Sequence, residues 1–151
     1  MPSSIISHTS AENIVQDILS SNDGIISVSV RDIKGRILAF RFKESFKKAF
    51  MAKSQMVDND YGGTLALAAL SVADEVQHIF GKAKGIVTIH TDCKLMLIPL
   101  LSFEILVGLV LELGVDADDG SLANNIEKIV SDIATAVDAA DDDNNNYGTT
   151  K

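Results

Sequence analysis

Apolar positions recur along this chain with two different periods, and the changes between them mark its elements. Ala11, Ile14, Val15, Ile18 and Leu19 follow helical spacing. Thr9 and Glu12 precede them as a T-x-x-E capping box, so a first helix is expected over roughly 10–20. Ser-Asn-Asp-Gly at 21–24 ends it. The period then drops to two. Ile26, Val28 and Val30 alternate with Ile25, Ser27 and Ser29, and Leu38, Phe40 and Phe42 mark a second strand. Asp-Ile-Lys-Gly at 32–35 has the Asp-first, Gly-last pattern of a tight turn, so 24–42 is expected to be a β-hairpin. Residues 43–60 give only weak helical spacing through Phe46, Phe50 and Met51, which suits either a short helix or an ordered link.

A long second helix is expected at about 61–80, with Asp58 or Asp60 as its cap. Three strands follow. "IVTIHT" begins at Ile86, "LMLIPLL" at Leu95 and "ILVGLVLE" at Ile105, separated by turns at 92–94 and 102–104. The last two are apolar on both alternating faces, the mark of central strands covered on both sides. "IVTIHT" is more polar and suits an edge. After the loop "DADDGS", Leu122, Ile126, Ile129, Val130, Ile133 and Val137 predict an amphipathic helix to about 139. The order α-β-β-α-β-β-β-α predicts an α/β protein of the α+β type. Its five-stranded antiparallel sheet carries helices on both faces. The expected organisation is an N-terminal extension over 1–9, one domain over 10–139, and a disordered acidic tail over 140–151.

Order and local pattern together resemble the roadblock/dynein light chain family over roughly 11–138. The resemblance rests on the hairpin "ISVSVRDIKGRILAF" and on the Ala- and Leu-rich helix "GGTLALAALSVADEVQHIF" placed before "GIVTIHTDCKLMLIPL". It rests also on the Pro-aliphatic strand end and following strand in "LMLIPLLSFEILVGLVLE", and on the helix after the acidic loop in "DADDGSLANNIEKIV". The link at 43–60 is longer and more basic than the family pattern, and the acidic loop lacks the family's Asn-Leu-Gly form. The resemblance implies an adaptor or regulator that dimerises, scaffolds or modulates a small Ras-like GTPase, and carries no catalytic centre. Profilin-like and longin-like domains share the layered layout, so a small-molecule sensor or scaffold is the alternative.

Composition narrows the setting. The chain has 151 residues, 46% of them hydrophobic, no Trp and a net charge of −8. Such an acidic protein repels phosphate backbones and anionic bilayers, so neither nucleic acid nor a membrane is an expected partner. One cysteine, Cys93, permits no internal disulfide, and the N-terminal segment lacks a secretory pattern. A cytoplasmic protein is expected. Leu95–Leu111 falls short of the ~20 apolar residues of a membrane span and is interrupted by Pro99 and Glu104.

Chemistry-bearing motifs are sparse. "FGKA" at 80–83 has Val76 where a phosphate loop needs its first glycine and Ala83 where it needs a hydroxyl. His90 and Cys93, even with Asp92, are too few for a structural zinc site. Asp74 and His78 read as an i,i+4 surface pair with no nucleophile beside them. The run at 141–143 reads as solvated acid. No catalytic residue, cofactor or metal is expected. Between Arg31 and Lys53, eight basic residues oppose only Asp32 and Glu44. This local +6 lies within a chain of −8. Arg41, Lys43, Lys47 and Lys48 are therefore candidates for docking an acidic partner.

The second helix raises the sharpest question, since no charge occurs from Tyr61 to Ala73. A helical wheel puts Leu65, Ala69, Val72, Val76, Ile79 and Phe80 on one face, expected to pack on the sheet. Leu67, Leu70, Asp74, Gln77 and His78 then point away. Together with Ile86, Thr88 and His90 of the edge strand, they are expected to form a homodimer interface. A monomer whose link folds over the helix through Phe46 and Phe50 is the alternative.

Overall fold

The computed structural model describes residues 6–46 and 61–149, with side chains placed for 6–45 and 67–136. Its elements are α1 (His8–Ser21), β1 (Ile25–Asp32), β2 (Ile37–Phe42), α2 (Tyr61–Phe80), β3 (Ile86–Ile89), β4 (Lys94–Leu100), β5 (Ile105–Leu111) and α3 (Ser121–Thr149). Short 3-10 turns follow β2 at Glu44–Phe46 and β4 at Leu101–Phe103. All strand pairings are antiparallel, in the order β2-β1-β5-β4-β3. The expected element order and sheet are therefore present, with β3 at one edge.

α1 and α3 cover one face of the sheet. Ile14, Val15 and Ile18 of α1 and Ile126 and Val130 of α3 are fully buried there, against Val28, Val30, Met96, Ile98, Val107, Leu109 and Leu111. The alternation read from β4 and β5 sends Met96, Ile98 and Leu100 to this face and Leu95 and Leu97 to the other. α1 starts earlier than its expected Thr9–Glu12 box. Ser7 is the N-cap, and its hydroxyl accepts from the Ser10 N–H at 3.1 Å. Packing accompanies the earlier start, since Ile6, just before the cap, is buried in the core cluster. α3 runs to Thr149, ten residues past its expected end and across the acidic run expected to be disordered. Extending an existing helix fixes one residue per hydrogen bond, so poor helix formers follow a well-anchored start.

The first hairpin departs from simple alternation. The register between β1 and β2 shifts between Val30 and Arg31, pairing Val30 with Ala39 and Arg31 with Ile37. Leu38 therefore packs against the α1–α3 core while Phe40 and Phe42 stay on the opposite face, their rings edge to face at 4.7 Å. The turn is held by Asp32. Its Oδ1 accepts from the N–H groups of Lys34 (2.9 Å) and Arg36 (3.0 Å), and its Oδ2 from Arg36 Nε (2.9 Å). Gly35 supplies the positive φ of 87° that closes the turn.

Desolvation alone would raise the Asp32 pKa. The backbone N–H and guanidinium of Arg36, with the Lys34 N–H, outweigh it and hold the carboxyl below its ordinary 3.8. A depressed folded-state pKa contributes stability that is present above the unfolded value and lost as pH falls through the folded one. Asp32→Asn should therefore lower stability near neutrality and flatten its decline on the acid side. Asp32→Ala should cost about 1–2 kcal/mol at pH 7, read from urea titrations. An unchanged acid limb in Asp32→Asn would count against this role. No helix among the described residues is long and apolar enough to cross a membrane.

Candidate interaction surface

Among the described residues α2 is the one element on the second face of the sheet, and its packing there is light. The side chains turned toward β4 and the turn after it are two alanines, one leucine and one glutamine. Ala73 is buried, Ala69, Leu70 and Gln77 are half-buried, and Leu70, Ala73 and Gln77 approach Pro99 and Leu101. Of the wheel's expected inward face, Ala69 is turned in, but the larger side chains are turned out instead. Val72 is 62% exposed, Val76 36%, Ile79 75% and Phe80 81%. Both arcs of this helix are apolar, so periodicity alone cannot choose between them. The arc with two alanines is turned toward the sheet, and the bulkier β-branched arc is left facing water. The side chain of Leu65 lies outside the described set.

The expected interface residues therefore divide. Leu67, Asp74 and His78 are exposed, whereas Leu70 and Gln77 lie between the helix and the turn after β4. Asp74 does not pair with His78, because its carboxylate accepts from Gln77 Nε2 at 2.8 Å. Ile86 and Thr88 project to the α2 side of β3, and Thr88 Oγ1 meets His90 Nε2 at 2.9 Å. Ile89, at the end of the same strand, is 69% exposed. β3 has only four residues and pairs with β4 on one side alone, so its outer backbone groups have no strand partner among the described residues. The residues missed at the sequence level are Val72, Val76 and Ile79. Their i, i+4, i+7 spacing is visible in the sequence, but by itself it predicts a stripe facing the sheet.

The basic segment is also redistributed. The Arg41 guanidinium donates to Gln16 Oε1 and lies 3.7 Å from a Glu12 carboxylate oxygen. Lys43 Nζ donates to the carbonyls of Asn22 and Asp23. Both cations thus tie β2 and its end to α1, which they brace whether or not a partner is present. Lys47 and Lys48 lie outside the described residues, as do Phe50, Met51 and the two proposed caps Asp58 and Asp60. Among the described residues no three His, Cys, Asp or Glu side chains converge as metal ligands.

No protein-family model matches the sequence, and no curated protein sequence matches it either. Solved structures do match. A roadblock/LC7 domain from Streptomyces avermitilis superimposes with a TM-score of 0.60 at 12% identity, covering 83% of this chain and 96% of that one. MglB of Myxococcus xanthus gives 0.62 at 11% identity, covering 88% and 90%. An MglB structure with a tetrameric arrangement gives 0.54 at 13% identity, covering 83% and 91%. At such identities the likeness concerns the fold, and the fold is roadblock-like.

Proposed function

We propose, from a roadblock-like fold with one helix face exposed among the described residues, a cytoplasmic, homodimeric, non-enzymatic adaptor that binds or modulates a small Ras-like GTPase. The observation that carries this reading is the exposed stripe of Val72, Val76 and Ile79 on the same chain as a short open edge strand, β3. A two-fold pairing of α2 with α2 and β3 with β3 covers both and joins two five-stranded sheets into one. The MglB structure with a tetrameric arrangement supports self-association as a habit of this fold. The GTPase rests on the family resemblance carried by the hairpin, the Ala-rich helix and the Pro-aliphatic strand end.

The adaptor reading is tested by titrating the purified chain against Ras-like GTPases from its own organism, each loaded with GDP or a non-hydrolysable GTP analogue. One of them should bind with affinity differing at least roughly tenfold between nucleotide states, a coupling of about 1.4 kcal/mol. A complete set that binds in neither state sinks the reading. The chain alone should not turn over GTP. Nor should it turn over ATP.

The basic segment yields a separate expectation. Lys47→Glu with Lys48→Glu should slow association at low salt, leave Tm unchanged, and lose its effect at high salt. Lys43→Glu should instead lower Tm, because Lys43 caps carbonyls at the end of α1. Stopped-flow association rates and thermal melts check the pair. Salt-independent rates in the double variant would remove this segment from docking.

A further inference from the structure

We propose that β3 pairs with β3 of a second copy in one register, with the two-fold axis beside Thr88. Val87 then lies opposite Ile89 of the copy, and Thr88 lies opposite Thr88. The inference rests on the dimer reading above and goes beyond it by fixing which residues meet. It follows from the direction of the backbone groups on a strand of four residues, Ile86–Ile89.

Among the described residues β3 pairs with β4 alone and forms one edge of the sheet. The His90 N–H donates to the Cys93 carbonyl at 2.9 Å, and the register sets Thr88 opposite Leu95 and Ile86 opposite Leu97. In an antiparallel ladder the hydrogen-bonded pairs recur at every second residue, so Ile86, Thr88 and His90 turn their N–H and carbonyl groups toward β4. Val87 and Ile89 turn theirs outward, giving the open edge two donors and two acceptors. Apart from its shortness, the strand has none of the devices that close an edge to pairing: no charge, no proline and no bulge. Ile89 is 69% exposed, on the same face as Val87, which packs against the core beneath α1 and α3. Ile86 and Thr88 lie on the α2 side.

Symmetry leaves few registers. In a two-fold antiparallel pair, residues that exchange hydrogen bonds must both face outward, so Val87 and Ile89 can meet only each other or themselves. An axis beside Val87 pairs Val87 with itself and sets Ile89 opposite Gly85, which precedes the strand. An axis beside Ile89 pairs Ile89 with itself and sets Val87 opposite Thr91, in the turn before β4. An axis beside Thr88 sets Val87 against Ile89 twice. It forms four hydrogen bonds and uses every outward group of both strands. The side chains agree with this register. Ile89 gains Val87 of the copy as its cover on one face. On the other, Thr88 meets Thr88 at a non-hydrogen-bonded position, where cross-strand side chains stand closest. The edge is therefore complementary to itself, which makes a second copy its occupant.

The test is disulfide trapping in the full chain carrying Cys93→Ser, with the mass first measured by light scattering under reducing conditions. On mild oxidation Thr88→Cys should link to its own copy, because a Cα separation of about 4.5 Å is within disulfide range. Val87→Cys and Ile89→Cys should not link to themselves. Each is offset from its copy by two residues, about 7 Å along the strand before the gap between strands is added. Ile89→Pro removes one outward N–H and none that bonds β4. It should leave the circular dichroism spectrum unchanged and raise the dimer Kd at least roughly tenfold. Self-linking of Val87→Cys or Ile89→Cys in place of Thr88→Cys overturns the register. A reduced dimer in which none of the three links, or an unchanged Kd in Ile89→Pro, overturns the β3 ladder and leaves the dimer to α2. A parent that is monomeric at tens of micromolar overturns the dimer reading itself, and the register with it.

Discussion

Val72→Asp combined with Ile79→Asp is expected to yield a folded monomer from a dimeric parent. The two side chains are 62% and 75% exposed within one chain, so neither carries much of that chain's own stability. In the proposed dimer the same surface is removed from water twice. Finishing the burial of each side chain contributes about 1–2 kcal/mol, so four of them contribute about 4–8 kcal/mol toward association. Four carboxylates brought together would add repulsion to that loss. The dimer dissociation constant should therefore rise by at least roughly a thousandfold, since each 1.4 kcal/mol is tenfold. Light scattering at tens of micromolar checks the mass, and circular dichroism and urea titration check the fold. Leu70→Asp is the contrasting variant. Leu70 is half-buried beside the turn after β4, so an aspartate there should lower the urea midpoint in addition to any effect on assembly. A parent that is already monomeric at that concentration, with the double variant equally well folded, would overturn the dimer.

The second large effect is expected on the opposite face. Ile126 is fully buried in the layer formed by α1, α3 and the sheet. Ile126→Ala should cost about 3–4 kcal/mol, the transfer loss plus an incompletely collapsed cavity. Leu67→Ala on α2, where the side chain is 39% exposed, should cost under about 1.5 kcal/mol in the same urea titration at low protein concentration. The contrast tests the asymmetry of the molecule: one face of the sheet carries the buried core beneath α1 and α3, while the other carries, among the described residues, only α2, whose sole buried hydrophobic side chain there is Ala73. Comparable losses at the two positions would show that α2 is anchored as firmly as α3.

Much of this architecture is legible in the residues because each signal is local. Alternation through β4 and β5, apolar on both sides, requires cover on both faces, and α1, α2 and α3 supply it. Asp32 and Gly35 specify their turn through one side-chain oxygen that accepts two N–H groups and one backbone angle that favours glycine. The end of α2 is marked by Gly81, whose N–H reaches the Gln77 carbonyl at 2.9 Å. In contrast, the start of α1 at Ser7 goes with the burial of Ile6 in the core, and the exit of Leu38 from the Phe40–Phe42 face depends on a register shift. Neither follows from spacing.

The interaction surface is where local reasoning stops. The absence of charge from Tyr61 to Ala73 says that α2 is wetted less than a surface helix should be. It does not say which arc meets the sheet, because both arcs bury apolar area and a wheel weighs only hydrophobicity. That choice is made by shape across the chain: Ala69 and Ala73 against the neighbourhood of β4, with Ser27, Ser29 and Gly108 brought side by side only when β1 pairs with β5. Tertiary contact likewise commits Arg41 and Lys43 to bracing α1. Periodicity, turn chemistry and composition specify the elements, since each acts over a few neighbouring residues. The exposed stripe and the use of the basic side chains come from tertiary contact, since they depend on which residues meet across strands far apart in the chain.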